Sequence, residues 1–158
     1  MKLKNAGILI GFIILCLLAG IIGSIFTTQN IPTWYESINK PSFNPPNWVF
    51  GPVWTILYVL MGISAYLIYS KGIKKKEVKL ALIIFGIQLV LNTLWSILFF
   101  GLTSPLFGLI CIIFLWLFIV LIMKLFYKLD KKAAYLLIPY ILWVSFATIL
   151  NYYIFILN

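Results

Sequence analysis

Five apolar stretches, each about as long as a bilayer is thick, leave this chain almost no choice of solvent. They read at about Ala6 to Phe26, Trp48 to Tyr69, Leu80 to Phe100, Pro105 to Tyr127 and Ala133 to Leu157, and about 20 helical residues rise about 30 Å, the thickness of the hydrocarbon core. Of 158 residues, 64% are hydrophobic and 9% charged, which is more apolar surface than so small a fold can hide from water. The expected fold is all-α, a bundle of five transmembrane helices forming one domain over residues 1–158, because the short connections leave no room for a soluble domain.

The first stretch follows Lys2 and Lys4 as a signal peptide would, yet it exceeds the roughly 7 to 15 residues of a signal core. No A-x-A site follows it, and Cys16 precedes Leu17-Leu18-Ala19-Gly20 instead of ending a lipoprotein-type box. A retained helix is expected. Lys2, Lys4, Lys71, Lys74, Lys75, Lys76, Lys79, Lys124, Lys128, Lys131 and Lys132 fall on one side of the alternating connections, and Lys40 stands alone on the other. By the positive-inside rule the lysine-rich side is cytoplasmic, which puts the N-terminus inside and the C-terminus outside. The net charge of +9 is then a topology signal. Lys74-Lys75-Lys76 is also placed to meet anionic headgroups among the membrane lipids, and nucleic acid is not an expected partner. Lysine without arginine, with abundant Ile and Asn, hints at an AT-rich bacterial genome and so at a bacterial plasma membrane.

Histidine is absent, which excludes a His-ligated haem, a His-bound zinc and a Ser-His-Asp triad. Cys16 and Cys111 fall in apolar spans and read as small packing residues, so neither a disulfide nor a metal site is expected. Glu36, Glu77 and Asp130 read as loop residues. The spans therefore lack the interior carboxylate on which a proton-coupled transporter relies.

The polar groups within the spans are neutral. Gln88, Asn92 and Ser96 recur every four residues on one face of the third span, beside Trp95. For Gln88 and Ser96 interhelical hydrogen bonds are the expected role; for Asn92 a structural bond and a contact to a ligand both stand open. In the fifth span Trp143, Ala147 and Asn151 share a face, where Ala147 serves either close packing or a notch for a ligand. Cys16, Gly20 and Ser24, with Gly23 alongside, form a stripe of small residues for close packing, with a dimer seam as the alternative.

The first connection, residues 27–47, reads as more than a connector. Lys40 to Thr55 runs KPSFNPPNWVFGPVWT, interleaving Pro41, Pro45, Pro46 and Pro52 with Phe43, Trp48, Phe50 and Trp54. Proline limits φ and removes donors, so a rigid aromatic lid is expected over a cavity walled by Trp34, Trp54, Trp95 and Trp143. An interfacial aromatic belt is the alternative and suits Trp34 and Trp48. Lys40 at the mouth is read either as solvated or as a partner for a ligand carboxylate.

Four segments occur in order, KPSFNPPNWVFGPVWT, LYVLMGISAYL, QLVLNTLWSILFF and PYILWVSFATILNYY. Together they resemble the translocator protein family (TspO/MBR, tryptophan-rich sensory protein) from about Trp34 to the C-terminus. The resemblance implies five transmembrane helices around a pocket open toward the first loop, often in a homodimer. It implies non-covalent binding of porphyrins such as protoporphyrin IX, and of benzodiazepine-type and isoquinoline carboxamide ligands. For bacterial relatives it implies light- and oxygen-dependent breakdown of bound protoporphyrin. The family's pocket positions match Trp54, Asn92, Trp143 and Ala147. The candidate ligand-binding set is Trp34, Pro45, Trp54, Tyr58, Asn92, Trp95, Trp143 and Ala147, with Trp54 and Trp143 as the candidate catalytic pair.

Animal members carry a cholesterol-recognition pattern ending in a basic residue, whereas Leu150-Asn151-Tyr152-Tyr153 is followed here by Ile154-Phe155-Ile156-Leu157-Asn158, so cholesterol transport is not expected. The leading expectation is a porphyrin-binding sensor. An enzyme-like reading, in which the porphyrin supplies the photochemistry and the protein orients it, follows. A transporter of porphyrins or other lipophilic molecules is the alternative, weakened by the odd number of spans and the lack of an inverted repeat.

Overall fold

The computed structural model describes residues 3–158, with side chains described from Asn5 onward; Lys2 and the side chain of Lys4, on which charges were read, lie outside what is described. The described chain is helical: α1 (Leu3–Asn30), α2 (Phe50–Tyr69), α3 (Lys76–Ser96), α4 (Pro105–Leu129), α5 (Lys131–Leu136) and α6 (Ile138–Leu157). Wider π turns extend α1 over Ile31–Tyr35 and α3 over Ile97–Gly101. Five stretches are long and apolar enough to span a membrane: Asn5–Tyr35, Asn47–Tyr69, Lys76–Gly101, Pro105–Leu129 and Lys131–Leu157. They close into a ring in which α1 packs on α2 and α3, α3 on α4, α4 on α5 and α6, and α5 back onto α2.

The expected loop 27–47 is shorter than its composition suggests, because residues 27–37 are helical and the irregular segment is 38–46. The polar residues there satisfy themselves within the helix. Thr27, Thr28 and Thr33 donate to the carbonyls of Gly23, Ser24 and Gln29 at 3.2, 2.8 and 3.2 Å, and the Asn30 amide donates to Phe26 O at 3.0 Å. Pro32 has no N–H to give the ladder, and the turn containing it is wound as π helix. At 31 residues the first span is about 46 Å long, well beyond a hydrocarbon core of about 30 Å, so its hydroxylated last turns reach the interface.

The expected fifth helix is broken. Asp130 caps α5 by accepting from the backbone N–H of Lys132 and Ala133 at 2.8 and 3.3 Å, and the helix breaks at Leu137, two residues before Pro139. Asp130 also pairs with Lys71 at 2.6 Å, and Ser64 donates to Ala133 O at 2.7 Å. These contacts tie the two lysine-rich connections to one end of the bundle. Glu77, read as a loop residue, lies in the first turn of α3 at that same end, where the helix dipole favours a carboxylate.

At the opposite end Asn39 and Asn158 clasp the connection to the end of α6. Asn39 N–H donates to Asn158 Oδ1 at 2.9 Å, Asn39 Nδ2 to Leu157 O at 3.2 Å, and Asn158 Nδ2 to Asn39 O at 3.0 Å. Lys40 is neither simply solvated nor free for an anion. Its ammonium donates to the carbonyls of Tyr35, Glu36 and Ile38 at 2.6, 3.1 and 3.0 Å, which uses all three donors to cap the first span.

Of the small-residue stripe of α1, Cys16, Gly20 and Gly23 take the packing role within their own bundle, while Ser24 is exposed. Cys16 is buried, Gly20 lies against the Tyr58 ring, and Gly23 against Ser96. From α2, Gly62 meets the backbone of α1 directly, since a Cβ there would stand 2.6 Å from Ile13 Cα. The outer surface is left to Ile10, Ile14, Leu18 and Ile25 of α1 and to Ile110, Ile113, Phe114 and Leu117 of α4, all exposed, as lipid-facing residues are.

Gly62→Ala is expected to lower stability by about 1–3 kcal/mol through overpacking against backbone. Gly86→Ala, whose added atom meets nothing within 4 Å, should be neutral or mildly stabilising, and melting of the detergent-solubilised variants compares the two. The Lys71 ammonium beside Asp130 lowers the carboxyl pKa. A lowered native pKa means that the ion pair contributes fully at neutral pH and fades as pH falls through the native value. Asp130→Ala should then cost about 0.5–2 kcal/mol near neutral pH through the lost cap. Asp130→Asn should cost less, and its difference from the wild type should shrink on acidification.

Candidate functional site

Inside the ring, neutral polar side chains form a chain of hydrogen bonds across three helices. Tyr58 of α2 donates its hydroxyl to Asn92 Oδ1 of α3. Asn92 Nδ2 donates to Tyr140 Oη of α6 at 3.0 Å, and Tyr140 donates to Gln88 Oε1 at 2.8 Å. All four residues are buried. A second tie lies nearer the loop end, where Trp95 Nε1 donates to Asn151 Oδ1 at 3.1 Å and Asn151 Nδ2 to Pro105 O at 2.8 Å. Gln88 thus takes the interhelical bond expected of it, and Ser96 instead lines a cavity beside Gly23.

Above the chain of bonds, toward the loop, aromatic side chains from every wall converge. Trp54, Trp95, Trp143 and Ala147 meet Tyr35, Phe50, Phe99, Phe100, Leu150 and Asn151 around a narrow seam of about 20 Å³. Trp54 and Trp95 ring centroids are 6.5 Å apart, Trp95 stacks on Phe99 at 5.3 Å, and Phe50 stands edge-on to Trp143 at 6.1 Å. The Trp143 indole N–H is buried without a partner, as is Gln88 Nε2. The seam wall therefore contains a donor with no acceptor, a group that costs free energy until it is met.

On the α1 side of Trp54 and Trp95 the space widens to a cavity of about 400 Å³. Its walls are Leu17, Gly20, Ile21, Ser24, Thr27, Thr28 and Ile31 from the first span, Asn47, Trp48, Phe50, Gly51, Trp54, Thr55 and Tyr58 from the second, and Trp95, Ser96 and Phe100 from the third. No charged side chain lines it. The volume falls within the roughly 300–1,000 Å³ typical of small-molecule sites.

The eight candidate residues are thus not brought to one surface. Trp54 and Trp95 line both spaces, Tyr58 lines the cavity, and Trp143 and Ala147 line the seam. Asn92 sits behind Tyr58 in the hydrogen-bond chain, off both walls. Trp34 packs edge-on against Phe99 and Phe100 at 5.4 and 6.4 Å, and Pro45 lies in the loop, where its carbonyl accepts from Asn44 Nδ2 at 3.1 Å. Tyr35, Phe99, Phe100 and Tyr140 were not singled out from sequence. Tyr140 carried a usable signal, since it lies one turn before Trp143 on the same face.

A sequence model of the TspO/MBR family matches residues 12–157. The tryptophan-rich protein TspO of Chlorobaculum tepidum is 49% identical over 144 residues, 91% of either chain. That of Archaeoglobus fulgidus is 46% identical over 151 residues, 95% of this chain and 96% of its own. The translocator protein of Bos taurus is 34% identical over 144 residues, 90% of this chain and 85% of its own. With the family match covering both the aromatic seam and the cavity beside it, the chain belongs to the TspO/MBR family.

Proposed function

We propose that the chain binds a flat, apolar tetrapyrrole of the protoporphyrin IX type between its indoles and senses or controls that ligand in a bacterial plasma membrane. The observation that carries this reading is the meeting of Trp54, Trp95 and Trp143, from three separate helices, beside an uncharged cavity of about 400 Å³. Indole faces offer a planar ring offset-stacked and edge contacts worth about 0.5–1.5 kcal/mol each beyond burial. The unpartnered Trp143 N–H supplies a polar contact to fix the ligand's orientation. Benzodiazepine-type and isoquinoline carboxamide compounds, also aromatic and uncharged in their cores, suit the same walls.

The lysine-rich end, marked by Lys71 and Asp130, faces the cytoplasm by the positive-inside rule, and the loop with Lys40 and Asn158 faces outward. A ligand that fills the seam must part rings now in contact, and Ala147 leaves room for it between Trp143 and Asn151. Light- and oxygen-dependent breakdown of the bound ring is part of the same reading. The porphyrin supplies the photochemistry, and Trp54 and Trp143 hold it in place.

Trp54→Ala and Trp143→Ala should each weaken protoporphyrin IX binding at least about tenfold, equivalent to about 1.4 kcal/mol. Titration of the detergent-solubilised protein by fluorescence quenching measures this, and wild-type affinity in both variants would remove the assignment. Illuminating the complex in air, beside a protein-free control, tests the breakdown. A product found only with protein supports it, and identical spectra in the two samples refute it.

A further inference from the structure

The loop end and the α1–α2 side of the bundle are held unequally. The loop, residues 38–46, is held by bonds: the three-way clasp of Asn39 with Asn158 and Leu157, the Lys40 cap, and Tyr35 Oη donating to Asn44 Oδ1 at 2.6 Å. Phe43 adds an edge-on contact to Tyr153 at 5.3 Å. Opening that lid disrupts several of these contacts at once.

Toward the bilayer, between α1 and α2, nothing comparable spans the gap. Among the described residues no hydrogen bond joins residues 20–31 to residues 47–55. The hydroxyls at the rim turn back on their own helices, Ser24 to Ile21 O, Thr28 to Ser24 O and Thr55 to Gly51 O at 2.8, 2.8 and 2.9 Å. Deeper in the bundle the two helices are pinned by Gly20 against the Tyr58 ring and Gly62 against Ile13. The cavity lies from that pinned level toward the loop, and Gly51 at its rim would carry a Cβ with nothing within 4 Å. Ile21 and Trp48, 56% and 74% exposed, give the rim apolar lips on the lipid-facing surface. Phe50, Trp54, Trp95 and Phe100 line both this cavity and the seam, so the cleft is continuous with the proposed binding walls.

We infer that the cleft between α1 and α2 is a portal through which a lipophilic ligand already dissolved in the bilayer reaches the tryptophan seam while the loop stays closed. The inference rests on the ligand reading above and adds its route. A solute that partitions into hydrocarbon is concentrated at this side of the protein, and entry there breaks no hydrogen bond. Entry past the loop would break several and would start from water, where a flat apolar ring is scarce.

The test measures protoporphyrin IX binding kinetics on the full chain in phospholipid nanodiscs by stopped-flow quenching of tryptophan fluorescence. Gly51→Leu and, independently, Thr55→Trp narrow the rim from positions with room for added atoms. Each should slow association about tenfold and slow dissociation with it, the signature of a blocked path as opposed to a lost contact. Asn158→Ala, which loosens the clasp, should leave both rates at wild-type values. Wild-type association in both rim variants, faster dissociation alone, or faster association in Asn158→Ala would overturn the portal. Absence of any binding by the wild type would instead overturn the ligand reading, and the portal with it.

Discussion

Hydrocarbon offers no hydrogen-bond partner, so every polar side chain within a span has to find one inside the bundle or remain unsatisfied at a cost. The chain from Tyr58 through Asn92 and Tyr140 to Gln88 meets that demand across α2, α3 and α6. Each such bond contributes roughly 0.6–2 kcal/mol in a membrane, and its geometric effect is the larger one. Trp54 lies one turn before Tyr58, Trp95 nearly one turn beyond Asn92, and Trp143 nearly one turn beyond Tyr140. Holding three polar residues together therefore delivers three indoles to one level of the bundle, above the bonds and below the loop.

The same arrangement keeps Asn92 off both walls. Asn92 uses its carbonyl oxygen toward Tyr58 and its amide toward Tyr140, so a ligand in the cavity meets Tyr58 and not the amide behind it. The phenol's hydrogen is engaged by Asn92. Trp143, in contrast, keeps a free donor.

Much of this was legible in the sequence. Spans announce themselves by length and hydropathy, and the tryptophans by their spacing beside small or polar residues. What was not legible has physical causes. Thr27 to Tyr35 looks like a loop because it is polar and contains Pro32, yet its hydroxyls bond to the helix that bears them, and a π turn absorbs the proline. Lys40 looks like a free outer charge because carbonyls capped by an ammonium leave no trace in composition. The choice between packing and dimerisation for Gly20 and Gly23 depends on which rings lie opposite, and only the fold brings Tyr58 and Ser96 there. The division of the expected pocket into a narrow seam and a wider cavity likewise depends on rotamers of Phe99, Phe100 and Trp95, which no periodicity encodes.

The two ends of the bundle are built for different tasks. At the lysine-rich end α5 is capped by Asp130, which also takes Lys71, and Ser64 bonds α2 to the first turn of α5; helix positions there are fixed by polar contacts between elements. At the loop end α2 leaves α6, opening an outer groove lined by Val53, Ile56, Pro139, Leu142 and Trp143, and it also leaves α1, opening the cleft. Between the ends, beyond the chain from Tyr58 to Gln88, lies a layer of aromatic contacts. Such contacts are individually weak and can be exchanged for equivalent contacts to a flat ligand. The chain from Tyr58 to Gln88 lies one turn below the rings of that layer, so parting them leaves it intact, whereas the Trp95–Asn151 bond lies at their own level.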